Sequence, residues 1–341
     1  MSYMLQEIFE QPAVLAGIEK KNDAALTGLV AALRQTPPKH IVIAARGTSD
    51  HCGIYIKYLS EIILGLPVTL AAPSVHTVYS AAVHYESALV IGISQSGMAA
   101  DALAVLEHAN ACGAITAAVT NNTESPLALT ARYCLDCAAG PEKSLAATKT
   151  FTAEMYCLTL LIARWSGNEE LKDVWRALPQ TLARAGEIAE LAKTFADMEQ
   201  CFVLGRGLLY PVALEMALKL AETCYVNARG FAASDFWHGP IALITRHTPV
   251  FVLCGADEAN GDMQAVAEQC ARFGADVVLI TDQEEQDGAP YPVRSLCAPS
   301  DRYAAPFHFT LFAQLFAAAL AEAKGIDPDA PRNLKKVTIT R

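Results

Sequence analysis

Short, fully apolar runs recur along the chain, and each is closed by a small polar cluster. His40–Ala45 ends in Arg46-Gly47, Leu89–Ile93 in Ser94-Gln95-Ser96-Gly97, and Ile115–Thr120 in Asn121-Asn122-Thr123. Longer Ala/Leu-rich stretches such as 99–109 lie between them. Unbroken apolar runs of this length read as strands buried on both faces, and the stretches between them as crossover helices. The series then returns about 160 residues later. Cys201–Leu204 ends in Gly205-Arg206-Gly207, and Val250–Cys254 takes the place of Leu89–Ile93. Phe273-Gly274-Ala275 leads into Val277–Thr281 as Cys112-Gly113-Ala114 leads into Ile115–Thr120. A period that long is a domain rather than a solenoid unit. The pattern predicts an α/β protein made of two duplicated parallel sheets, each covered by helices on both faces.

Breakers set the boundaries. Pro37-Pro38 ends a helical arm over 1–36, and the first subdomain follows over 37–167. Linker helices span 168–196, where Pro179 should kink or break the helix. The second subdomain runs over 197–324 and includes a polar loop over 283–292. A tail over 325–341 carries Pro328 and Pro331 before Arg332-Asn333-Leu334-Lys335-Lys336.

Composition narrows the class. With 52% hydrophobic and 18% charged residues the chain can bury a sizeable core. A net charge of −10 argues against a nucleic-acid partner. No apolar stretch is long enough to span a bilayer, and residues 1–12 lack the cationic start of a signal peptide. The ten scattered cysteines, several in apolar runs, read as reduced thiols, which points to the cytoplasm. Cys134 and Cys137 have CxxC spacing but no second pair or His partner at metal spacing, so neither a metal nor a cofactor is expected. No G-x-G-x-x-G follows the first strand, which argues against a dinucleotide.

In doubly wound sheets, ligands sit at the carboxyl ends of strands. Ser94-Gln95-Ser96-Gly97 falls there, between a strand and a helix. The helix N-terminus with two hydroxyls and an amide suits a phosphate held by neutral donors, since the turn has no Lys or Arg. The same residues also fit a serine N-cap with a polar turn. In the second half, Lys219 and Glu222 share one helix face. They can form a surface ion pair, or a glutamate in an apolar cleft that moves protons near neutrality. His238 lies between Trp237 and Gly239-Pro240, in either a structural or a catalytic role.

These and other segments, taken in order, resemble a known family. They are Tyr3-Met4 with 7–12, Gly47-Thr48-Ser49, 93–97, 147–152, 217–220 with Glu222, 238–243, and 331–334 with Lys336. The series is similar to the sugar isomerase (SIS) domain pair of the glucosamine-6-phosphate synthases. The resemblance implies two flavodoxin-like SIS subdomains and a homodimer with composite active sites. It implies that Ser94, Gln95 and Ser96 hold a sugar phosphate, that Thr48 and Ser49 hold sugar hydroxyls, and that Ala147 lies in the substrate-binding segment. Glu222 would move a proton between C1 and C2, and His238, from its own or the partner subunit, would open the ring. Lys336 would form an imine with the ketose, and Lys219 would be a supporting cation.

The chain departs from the family pattern. The family's Ser-Gly-Glu-Thr is Ser96-Gly97-Met98-Ala99 here, so one phosphate-side hydroxyl is missing. Ala147 replaces a serine and Ala221 a lysine. The sequence also begins where the isomerase half of the synthases begins. The expected activity is therefore deamination of an amino-sugar 6-phosphate, most simply glucosamine 6-phosphate, to the ketose phosphate and ammonia. Glutamine-dependent transamination, isomerisation or deglycation of tagatose, galactosamine or fructosamine 6-phosphates, and a non-catalytic sugar-phosphate sensor are the alternatives.

Overall fold

The computed structural model describes residues 1–284 and 288–336. Helix α1 (Tyr3–Gln35) ends just before Pro37-Pro38, because a proline disfavours helical backbone in the residue ahead of it. The first half then runs β1 (His40–Ala44), α2 (Thr48–Leu64), β2 (Val68–Leu70), α3 (Ser74–Thr77), β3 (Ala88–Ile93), α4 (Ala100–Ala111), β4 (Ile115–Thr120), α5 (Pro126–Thr130), β5 (Tyr133–Asp136) and α6 (Lys149–Ser166). The strands form one parallel sheet in the order β2-β1-β3-β4-β5. Every residue of β3 and β4 is buried, which explains their unbroken apolar runs. Helix α6 is buried from Lys149 to Ala163.

The linker is three short pieces: a 3-10 turn (Glu169–Asp173), α7 (Leu178–Leu182) and α8 (Ala185–Lys193). Pro179 sits in the first turn of α7, where its missing N–H costs nothing, so it starts a helix after the break. The second half runs β6 (Gln200–Gly205), α9 (Tyr210–Cys224), β7 (Asn227–Ala232), α10 (Ala233–Trp237), β8 (Pro249–Cys254), α11 (Asn260–Arg272), β9 (Asp276–Thr281), β10 (Val293–Ser295) and α12 (Ala305–Ala323). Its parallel order, β10-β9-β8-β6-β7, is the first sheet's topology again. The apolar pattern predicts three strands per half, and each sheet adds two flanking strands. β2, β5, β7 and β10 are only partly buried, so they carry no continuous apolar run. The polar loop expected over 283–292 lies partly outside the described residues.

The chain divides into two compact units that are not contiguous in sequence. The first-sheet unit holds Ala13–Glu142, Lys149–Asp173 and the residues from Lys335. The second-sheet unit holds Met1–Pro12, Lys143–Thr148 and Val174–Leu334. Within the latter, Asp329 accepts hydrogen bonds from the Tyr3 and Met4 amides at 2.5 and 2.9 Å. Glu7 accepts from the Lys143 and Ser144 amides, and the Gln11 amide donates to Gln314 at 2.6 Å. No helix among the described residues is long and apolar enough to cross a membrane. All ten cysteines are free. Burial pushes Cys134 up to about 11, and the hydrogen bond with the Cys157 thiol, added to by burial, holds Cys137 well above its ordinary value, so neither favours the thiolate.

His308 in α12 is fully buried, and its Nδ1 lies 2.7 Å from Thr181 Oγ1. That hydroxyl already accepts from the Ala298 amide at 2.9 Å, so its own proton points to a neutral imidazole. Burial lowers the His308 pKa from 6.5 to about 4. The unfolded chain therefore binds this proton first as pH falls, and stability contributed by the neutral ring is lost between pH 6.5 and 4. The full window is worth about 3 kcal/mol. Urea unfolding of wild type and His308→Gln across that window should show a shallower acid slope in the variant, and equal slopes would refute the assignment.

Candidate active site

In the first-sheet unit, β1 and β3 are parallel neighbours with Ala44 opposite Gly92. The strand order reverses direction between them, so the turns leaving their carboxyl ends flank a topological switch point. The turn after β3 is braced by β4: the Gln95 carbonyl accepts from the Asn121 amide at 3.0 Å and from Thr120 Oγ1 at 3.3 Å. It closes through the Gly97 amide on the Ser94 carbonyl at 3.0 Å. Gly97 is required twice over. Its φ is +66°, and a Cβ there would lie 1.9 Å from Ser125 Oγ. The serines do not cap α4, whose N-cap is Ala99, without a side-chain hydrogen bond. Ser96 Oγ instead accepts weakly from the Met98 amide at 3.3 Å. The amides of Gln95 and Ser96 make no hydrogen bond among the described residues. The turn thus presents a helix N-terminus, Ser94, Gln95 and Ser96 with donors to spare.

The turn after β1 supplies Thr48, half-buried, and Ser49, which is buried and donates to Glu154 on α6 at 3.0 Å. It also supplies something the sequence reading missed. Arg46 pairs through Nε with Asp101 in the first turn of α4, at 2.9 Å. Glu142 was missed as well. Its fully buried carboxylate accepts from the Thr150 amide at 3.1 Å, from Thr150 Oγ1 at 2.8 Å and from Lys336 Nζ at 2.9 Å. Thr150 lies in the first turn of α6, so the helix N-terminus fixes the carboxylate that holds the tail lysine.

In the second-sheet unit, Lys219 lies between two carboxylates of α9. Its Nζ is 3.3 Å from Glu215 Oε1 and 2.6 Å from Glu222 Oε2. Lys219 and Glu215 are 0% exposed and Glu222 is 23% exposed, so this is not a surface ion pair. Burial pushes the Lys219 pKa down, but Glu215 and Glu222 outweigh it, and the net shift is upward. Lys219 therefore stays an ammonium, and Glu222 is the member of the row that reaches solvent. Glu222 lines a cleft of about 440 Å³ with Ala221, Tyr225 and the tail residues Arg332, Asn333 and Leu334. The tail is fastened there: the Arg332 guanidinium stacks 4.1 Å from the Tyr225 ring centre, and its amide donates to the Tyr225 hydroxyl at 2.8 Å. His238, exposed at the end of α10, does not line this cleft. Ala147 is half-buried in the Lys143–Thr148 segment of the same unit.

The two sheets, each parallel and doubly wound with the same strand order, define an α/β protein of two duplicated subdomains. The SIS domain family matches residues 36–164 and 194–322, and the chain belongs to that family. It is 35% identical over 341 residues to a glutamine–fructose-6-phosphate aminotransferase (isomerizing) of Methanothermobacter thermautotrophicus, matching 98% of this chain and 57% of that protein. The same enzyme of Mycolicibacterium smegmatis is 37% identical over 364 residues, with 99% of this chain and 57% of the relative covered. The chain thus spans under three fifths of the length of these relatives. Among solved structures, the C-terminal domain of glucosamine-fructose-6-phosphate aminotransferase from Francisella tularensis superposes with a TM-score of 0.85 at 28% identity, covering 97% of this chain and 98% of that one. A chain from Silicibacter pomeroyi, assigned provisionally as a phosphosugar isomerase, gives a TM-score of 0.88 at 32% identity, covering 96% and 100%.

Proposed function

We propose that this protein is a phosphosugar isomerase that acts as a deaminase on an amino-sugar 6-phosphate, most simply glucosamine 6-phosphate. The observation that carries the reading is the buried Glu215–Lys219–Glu222 row, in which only Glu222 opens to a cleft. Glu222 removes the C2 proton of the open-chain aldose and returns it to C1, leaving an imine at C2. Lys219 keeps the glutamate oriented. The Lys336 amine replaces ammonia at C2, and water then hydrolyses the lysine imine to release the ketose phosphate. His238, exposed on its unit, opens the ring in its own or a partner copy, consistent with a homodimer with composite sites. Phosphate sits over Ser94–Gly97, and Thr48 and Ser49 face the sugar hydroxyls.

Changing Ser94 and Ser96 to Ala should weaken binding of glucosamine 6-phosphate by roughly 1–3 kcal/mol per lost donor. Unphosphorylated glucosamine should bind very poorly to wild type, and equal affinity for both sugars, by calorimetry, would displace the phosphate from this turn. Function is tested by a panel of hexosamine and hexose 6-phosphates, with ammonia and ketose assayed separately. Equimolar ammonia and fructose 6-phosphate from glucosamine 6-phosphate support the reading. Ketose without ammonia from other hexose phosphates favours a plain isomerase. Labelled glutamine nitrogen in the product favours a transaminase, and binding without turnover favours a sensor.

A further inference from the structure

We propose that Arg46 is the charged member of the phosphate site, held in place by Asp101. The inference rests on the phosphate reading of the Ser94–Gly97 turn and adds to it a residue outside that turn. Arg46 leaves β1 beside the end of β3, since Ala44 lies opposite Gly92. Asp101 is 4% exposed in the first turn of α4, the helix whose N-terminus the turn presents. A carboxylate there competes with a phosphate for the same dipole and repels it. Such a residue is tolerable beside a dianion only if a cation offsets it, and Arg46 does so at 2.9 Å. The contact uses Nε, so the two terminal nitrogens of the guanidinium remain to form a fork toward an anion. Arg46 is itself 48% exposed and therefore accessible to a ligand. It also supplies a donor on a site where Ala99 lacks the hydroxyl of the related synthases.

The test is calorimetric titration with inorganic phosphate, glucosamine 6-phosphate and glucosamine, with circular dichroism as a folding control. Arg46→Ala should weaken both phosphate-bearing ligands roughly 10- to 100-fold. Arg46→Lys, which keeps the charge and loses the fork, should fall between this variant and wild type. The decisive variant is Arg46→Ala/Asp101→Asn. If Arg46 donates to the phosphate, the double variant stays about tenfold weaker than Asp101→Asn alone. If it returns to the affinity of Asp101→Asn, Arg46 only neutralises Asp101 and the proposal is overturned. An unaltered affinity in Arg46→Ala, with Ser94→Ala/Ser96→Ala impaired, overturns it while leaving the phosphate site standing. If the serine variant is also unaltered, the phosphate lies elsewhere and both readings fall.

Discussion

Glu222→Gln should keep the fold and the affinity for the sugar phosphate and lower turnover by roughly 10²–10⁴-fold, the usual range for a lost general base. The geometry separates this outcome from a structural one. Lys219 keeps Glu215 at 3.3 Å in the variant, so no charge is left buried alone. The amide occupies the volume of the carboxylate and can still accept from Nζ. Only proton transfer between C1 and C2 is removed. A purely structural glutamate predicts the reverse, a lowered melting temperature with near-normal turnover. Both quantities should be measured on one preparation, and normal turnover would end the base assignment.

How much of this could be read from the chain depended on the range of each interaction. β3 and β4 were legible because burial on both faces makes every residue apolar. β7 was not, because its residues include Asn227 and Arg229 and it lies at a sheet edge. Lys219 and Glu222 share a helix face at a spacing of three, so their pairing was visible. Glu215, four residues before Lys219, carried the same signal and went unread. Arg46 with Asp101 and Glu142 with Lys336 were out of reach: their partners lie 55 and 194 residues apart. Such pairs depend on which strands become neighbours and where the chain returns, and no local periodicity encodes that.

Lys336→Ala should abolish any adduct trapped by borohydride from protein and sugar phosphate, and Lys335→Ala should leave it intact. Chain ends are usually solvated and disordered, so two adjacent lysines near a terminus would ordinarily be equivalent. Here they are not. Lys335 is exposed, whereas Lys336 is held 2.9 Å from the buried Glu142 carboxylate. In the second-sheet unit, Pro331 is buried, Arg332 is stacked on Tyr225, and Leu334 lines the Glu222 cleft. An amine becomes a nucleophile only after losing its proton, and the Glu142 carboxylate at 2.9 Å fixes where that amine is held. When that amine adds to the C2 imine, ammonia leaves C2, and the bond left between lysine nitrogen and sugar carbon is the imine that borohydride traps. Deleting the chain from Asn333 should therefore remove turnover while both sheets still fold, as judged by circular dichroism. Full turnover in that truncated protein, or an adduct that survives Lys336→Ala, would make the tail a passive end.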